Sequence, residues 1–230
     1  MSGDGFAWVN GSIQPRAQAA IPVDDFGFRF GAAAFETMLA CNGRVFRLEQ
    51  HLDRLAVGLR VMRVDPPSDD LLTGAIDATL EANAVAAAGA RASVRLSVSA
   101  GVGRAPDLRV AQTPTVVVTA DPAPTSTSRP RLAVSSVRVD HRRPWGSSKM
   151  AQFLPYLLAR EDAREQGAED ALLLNHDGRI AELATSNVFF VVDGTLLTPS
   201  LASGPVPGVT REVVIDLARG LGVPVTETVV

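Results

Sequence analysis

Of the 22 basic residues in this 230-residue chain, 21 are arginine and one, Lys149, is lysine. Arginine stays charged, whereas a lysine amine can lose its proton and attack a carbonyl carbon. The segment Pro144-Trp145-Gly146-Ser147-Ser148-Lys149-Met150 therefore holds the one side chain suited to amine chemistry. A composition that has eroded lysine generally would leave the same single residue, so its neighbours have to decide.

An amine that forms a Schiff base with pyridoxal phosphate needs two companions: a carboxylate for the ring nitrogen and donors for the phosphate. Glu182, in Arg179-Ile180-Ala181-Glu182-Leu183-Ala184, is a carboxylate amid apolar sequence, where a charge calls for a partner. Its alternative is an edge-strand glutamate in solvent. Gly208-Val209-Thr210-Arg211 opens the last helix, and N–H groups at a helix start suit a phosphate; an ordinary threonine cap is the alternative. Arg54, in His51-Leu52-Asp53-Arg54-Leu55, falls on the polar side of its helix and could meet a phosphate or simply solvent. His51 reads as a surface histidine. Gly101-Val102-Gly103-Arg104 lacks the third glycine and the Lys-Ser/Thr of a nucleotide loop.

The elements that must position these residues follow from periodicity and punctuation. Residues 35–39 predict a strand, and Asn42-Gly43 a hairpin turn. Leu48, Leu52, Leu55, Leu59 and Met62 predict a helix over 48–63, and Ser68 caps a second running to about residue 88. Val94, Leu96 and Val98 alternate as a strand, and 115–120 and 131–139 are further strands. A helix follows Lys149 to Gln166, with Pro155 in an irregular first turn. Strands at 171–175, 187–192 and 195–198, a helix from Thr210 to Gly220, and a strand over 223–230 complete an α/β (α+β) chain. The Pro-, Ser- and Thr-rich run 121–130 predicts a linker between an N-terminal domain, 1–120, and a C-terminal domain, 131–230, that carries Lys149.

Composition excludes several classes. A net charge of −3 argues against a nucleic-acid surface, and the single Cys41 against disulfides or a cysteine metal cluster. His51, His141 and His176 are too scattered to suggest a metal. No secretory signal and no apolar run of membrane length is visible, so the expectation is a cytoplasmic protein.

In order, Asp25-Phe-Gly-Phe-Arg-Phe-Gly-Ala-Ala-Ala-Phe-Glu-Thr37, His51-Leu-Asp-Arg-Leu55, Ser148-Lys149, Asp177-Gly-Arg-Ile-Ala-Glu-Leu-Ala-Thr-Ser-Asn-Val-Phe189 and Ser203-Gly-Pro-Val-Pro-Gly-Val-Thr-Arg211 resemble the class IV aminotransferases. The resemblance implies a two-domain fold type IV enzyme, D-amino-acid-aminotransferase-like, with pyridoxal 5'-phosphate between the domains, and a homodimer. It implies that Lys149 carries the cofactor and shuttles protons, that Glu182 holds the ring nitrogen, and that Arg54, Val209 and Thr210 bind the phosphate, with Ser186 a further cofactor contact.

Within the family the pattern looks most like 4-amino-4-deoxychorismate lyase, which makes 4-aminobenzoate and pyruvate on the route to folate, with Thr37 near the substrate. A branched-chain or D-amino-acid aminotransferase is the alternative. Branched-chain enzymes usually have tyrosine where Leu154 stands. D-amino-acid enzymes have tyrosine at the position of Phe28 and arginine at that of Ala100. Arg142, Arg143 or Arg104 would then have to bind the substrate carboxylate. Family members usually continue past the position of Val230, which implies a truncated or weakly active homologue as a further alternative.

Overall fold

The computed structural model describes residues 5–103, 107–108, 113–123, 129–143, 145–146 and 148–230. The chain divides into two compact units, Met1–Ser126 with Lys149–Gln152, and Thr127–Ser148 with Phe153–Val230.

The first unit is an antiparallel sheet backed by helices. Its strands are β1 (Phe6–Val9), β2 (Ser12–Pro15), β3 (Ala33–Cys41), β4 (Arg44–Val45), β5 (Arg91–Ser99) and β6 (Thr115–Pro122), in the order β2-β1-β6-β5-β3-β4. The alternation of β5 sends Val94, Leu96 and Val98 into the core and leaves Arg95 outside. The short helix α1 (Phe26–Phe30) precedes β3. The helices α2 (Leu48–Val61) and α3 (Asp69–Ala82) pack on the sheet. Leu52, Leu55 and Leu59 of α2 are buried, each contributing about 1.5–3 kcal/mol. Asn42 and Gly43 both have positive φ, as their hairpin requires.

Helix α3 stops well short of residue 88. The Asn83 amide donates to the carbonyls of Thr79 and Phe6 and accepts from the Phe6 N–H, which ties the helix end to β1. Ala84 then turns to φ 54°. The strands β1 and β2 and the helix α1 carry no long periodic run, and sequence reading passes over them.

The second unit holds two three-stranded sheets. One is β7 (Leu132–Val139), β8 (Asp170–Asn175) and β9 (Ile180–Leu183). The other is β10 (Phe190–Val192), β11 (Thr195–Pro199) and β12 (Val225–Thr228). In each, one parallel pair is joined through a helix: β7 to β8 through α4 (Leu154–Glu165), and β11 to β12 through α5 (Val209–Gly220). Tyr156, Ala159 and Ala163 of α4 enter a core with Ala171 and Leu173 of β8 and Ala181 of β9.

Two boundaries differ from the sequence expectation. Strand β6 takes Asp121 and Pro122 of the expected linker, and 124–128 lie outside the described residues. Lys149, expected with the second domain, groups with the first unit, because 149–151 return to pair with β3.

Candidate active site

Lys149 runs along the open edge of β3. The Phe35 N–H donates to the Lys149 carbonyl (3.1 Å), the Ala151 N–H to the Ala33 carbonyl (2.8 Å), and Met150 bridges Ala34. Lys149 thus stands opposite Phe35 and shares its face of the sheet. Its Nζ lies 4.7 Å from the centroid of the Phe35 ring. The guanidinium carbon of Arg95 lies 3.8 Å from the same centroid. Thr37 pairs with Arg95 across β3 and β5 and is exposed on that face. Desolvation lowers the Arg95 guanidinium from its ordinary value, and among the described residues no carboxylate pairs with it.

Sequence reasoning passed over Arg95. The alternation of β5 was signal enough to put it outside the core, but only the β3–β5 register brings it onto Phe35. Of the arginines proposed in its stead, Arg142 pairs with Asp177 (2.7 Å). Arg143 donates to the Gly146 carbonyl (3.2 Å) and the Tyr156 hydroxyl (3.4 Å). Arg104 lies outside the described residues. Ala100 is buried, its N–H bonded to the Ala32 carbonyl (2.9 Å).

The opposite face of β3 carries Glu36, whose side chain is fully buried. Arg54 donates to it through Nε (2.8 Å to Oε1) and Nη2 (2.5 Å to Oε2), and His51 Nδ1 lies 2.7 Å from Oε2. The surface histidine of the sequence reading is therefore wrong, and so is the solvent alternative for Arg54: the Arg54 side chain is 11% exposed and His51 is buried. Their partner lies in a strand, beyond what helical periodicity can show. Burial pushes the Glu36 carboxyl up. The hydrogen bonds and charges of Arg54 and His51 outweigh it and hold the group below its ordinary value.

In the second unit Glu182 is buried on β9. The Tyr156 hydroxyl donates to Oε1 (3.2 Å) and the Val206 N–H to Oε2 (3.0 Å). Burial, then the Glu182 charge, raise the Tyr156 phenol above its ordinary value. Helix α5 starts after Gly208, not at Thr210, and no side chain caps it. A Cβ at Gly208 would lie 1.9 Å from Asn187 Oδ1, so only glycine fits there. Val209 is buried, Thr210 is exposed, and exposed Ser186 accepts the Leu183 N–H through its carbonyl (2.8 Å). The expected residues thus fall in two groups: Lys149, Thr37 and Arg54 in the first unit, and Glu182, Ser186, Val209 and Thr210 in the second.

A model of the amino-transferase class IV family matches residues 33–230, and the chain belongs to that family. It is 32% identical over 228 residues to a probable branched-chain-amino-acid aminotransferase of Rickettsia felis, covering 96% of this chain and 76% of the relative. It is 28% identical over 221 residues to an aminodeoxychorismate lyase of Bacillus subtilis, covering 94% of this chain and 74% of that one. The branched-chain aminotransferase of Thermoproteus uzoniensis, solved with norvaline, superposes with a TM-score of 0.88 at 29% identity, covering 99% of this chain and 79% of that one.

The fold is that of the fold type IV pyridoxal-phosphate aminotransferases. The cofactor of this family is pyridoxal 5'-phosphate, and a branched-chain aminotransferase of the same fold has been solved with the amino form, pyridoxamine 5'-phosphate. Each unit by itself holds side chains of a chemistry that suits the group: the first an amine, Lys149, and an arginine clamped by a carboxylate, Arg54, and the second a buried carboxylate, Glu182, that accepts from Tyr156 and Val206, and a glycine-opened helix start free of any side-chain cap. No helix among the described residues is long and apolar enough to cross a membrane.

Proposed function

We propose that the protein transfers the amino group of small aliphatic α-amino acids, branched-chain ones foremost, to a 2-oxo acid. The observation that carries this reading is the Phe35 ring, against which stand the Lys149 amine (4.7 Å from its centroid) and the partly desolvated Arg95 cation (3.8 Å). When bound, the cofactor supplies an electron sink conjugated to the reacting carbon. Lys149 moves a proton at the substrate α-carbon. Arg95 binds the substrate carboxylate and so orients that carbon toward the amine. Glu182, fixed by Tyr156 and Val206, holds the proton of the ring nitrogen. Arg54 and the first N–H groups of α5 hold the phosphate. Greater identity to the branched-chain relative than to the lyase supports transfer over elimination. A homodimer belongs to the same proposal, and sedimentation tests it.

The lyase is the second reading, favoured by Thr37 on the same sheet face as Lys149. The two separate by product. Leucine or valine should yield more than one equivalent of oxo acid per bound cofactor only when a 2-oxo acid acceptor is present to take the amino group. Pyruvate and 4-aminobenzoate from aminodeoxychorismate, without any acceptor, would establish the lyase instead.

A further inference from the structure

Glu36 is a fully buried charge with no place in the chemistry assigned above. Burying a carboxylate costs several kcal/mol, and a buried ion pair is often no more stable than apolar residues of the same size. Its geometry suggests what it does. The two oxygens of Glu36 take Nε and Nη2 of Arg54 together, a bidentate grip that fixes the plane of the guanidinium and not merely its distance. His51, one turn earlier on α2, places Nδ1 on Oε2 and so holds the carboxylate against rotation. A free arginine loses rotamer freedom when it closes on an anion, whereas a clamped one has lost it already.

We propose that Glu36 is a positioning residue that, steadied by His51, orients Arg54 toward the cofactor phosphate. The proposal rests on the reading of Arg54 as a phosphate ligand. Pure electrostatics makes the opposite prediction. A carboxylate neutralises its arginine, so removing the charge alone should strengthen the hold on a dianion.

The test isolates the phosphate's share of binding. The apo protein is titrated spectroscopically with pyridoxal phosphate and with pyridoxal, and the ratio of the two affinities is compared between variants. Arg54→Met should abolish most of the preference for the phosphorylated form. Glu36→Gln should lower that preference about tenfold, the low end for one hydrogen bond to a charged group, with pyridoxal affinity unchanged. Glu36→Asp keeps the charge but sets it back by one methylene, which preserves a partner for Arg54 where the amide fails to fold. It should lower the preference as well.

An unchanged or increased preference in a folded Glu36 variant overturns the positioning role. If Arg54→Met leaves the preference intact, the assignment of Arg54 to the phosphate is what fails. A merely structural Glu36 would weaken both ligands alike.

Discussion

Among the described residues one glutamate is buried in each unit, Glu36 in the first and Glu182 in the second, and different elements bond to each. Glu36 is bonded by a guanidinium and an imidazole from one helix, α2. Glu182 is bonded by a phenol from α4 and a backbone N–H ahead of α5. Removing Glu36 takes a shared carboxylate from a buried guanidinium and an imidazole, whereas removing Glu182 takes one from the Tyr156 hydroxyl and the Val206 N–H. A hydrogen bond to a charged group weighs more on stability than one from a phenol or a backbone N–H, so the first glutamate is the more tightly bound up with folding.

The largest effect should come from Glu36→Leu, which takes the buried carboxylate from Arg54 and His51 and should cost about 3–5 kcal/mol in a denaturant titration. A loss under about 1 kcal/mol, the range of exposed pairs, would erase the contrast. Glu182→Ala should cost less stability than Glu36→Leu yet slow turnover on the order of 100-fold, as when one preorganised electrostatic partner is lost. A fall in stability matching that of Glu36→Leu would make the two glutamates alike. Tyr156→Phe removes one donor from Glu182 and should cost about 1 kcal/mol, with a smaller drop in rate.

Two titrations give the finest comparison. Glu36 has a folded value below its unfolded one, so its contribution is present above the ordinary carboxylate range and is lost as pH falls through the folded value. Stability measured against pH in Glu36→Gln should therefore lose part of its acid-side slope. Tyr156 is the only tyrosine, so phenolate absorbance reports it alone. It should ionise above the ordinary tyrosine range, and Glu182→Gln should bring it partway back.

Elements whose signal is local were legible in the sequence. The leucine spacing of α2, the alternation of β5, the Ser68 cap and the Asn42-Gly43 turn all stand where periodicity places them. What was not legible depends on pairing across the chain. The sequence leaves Arg54 between a phosphate and solvent and does not show Glu36, because that partner lies 18 residues away in β3. Arg95 reads as an ordinary polar strand position until the β3–β5 register sets it on Phe35. Lys149 reads as the residue just before a helix, yet 149–151 form an edge on β3, and α4 begins only at Leu154.

Lys149, the single lysine, is the residue expected to carry the cofactor. The direct measurement is a visible spectrum of the protein reconstituted with pyridoxal phosphate, followed by borohydride reduction and mapping of the modified peptide. The account predicts a visible band that reduction bleaches, with the label on Lys149 and neither in Lys149→Ala. A Lys149→Ala protein that keeps a reducible band and still transfers amino groups would contradict it.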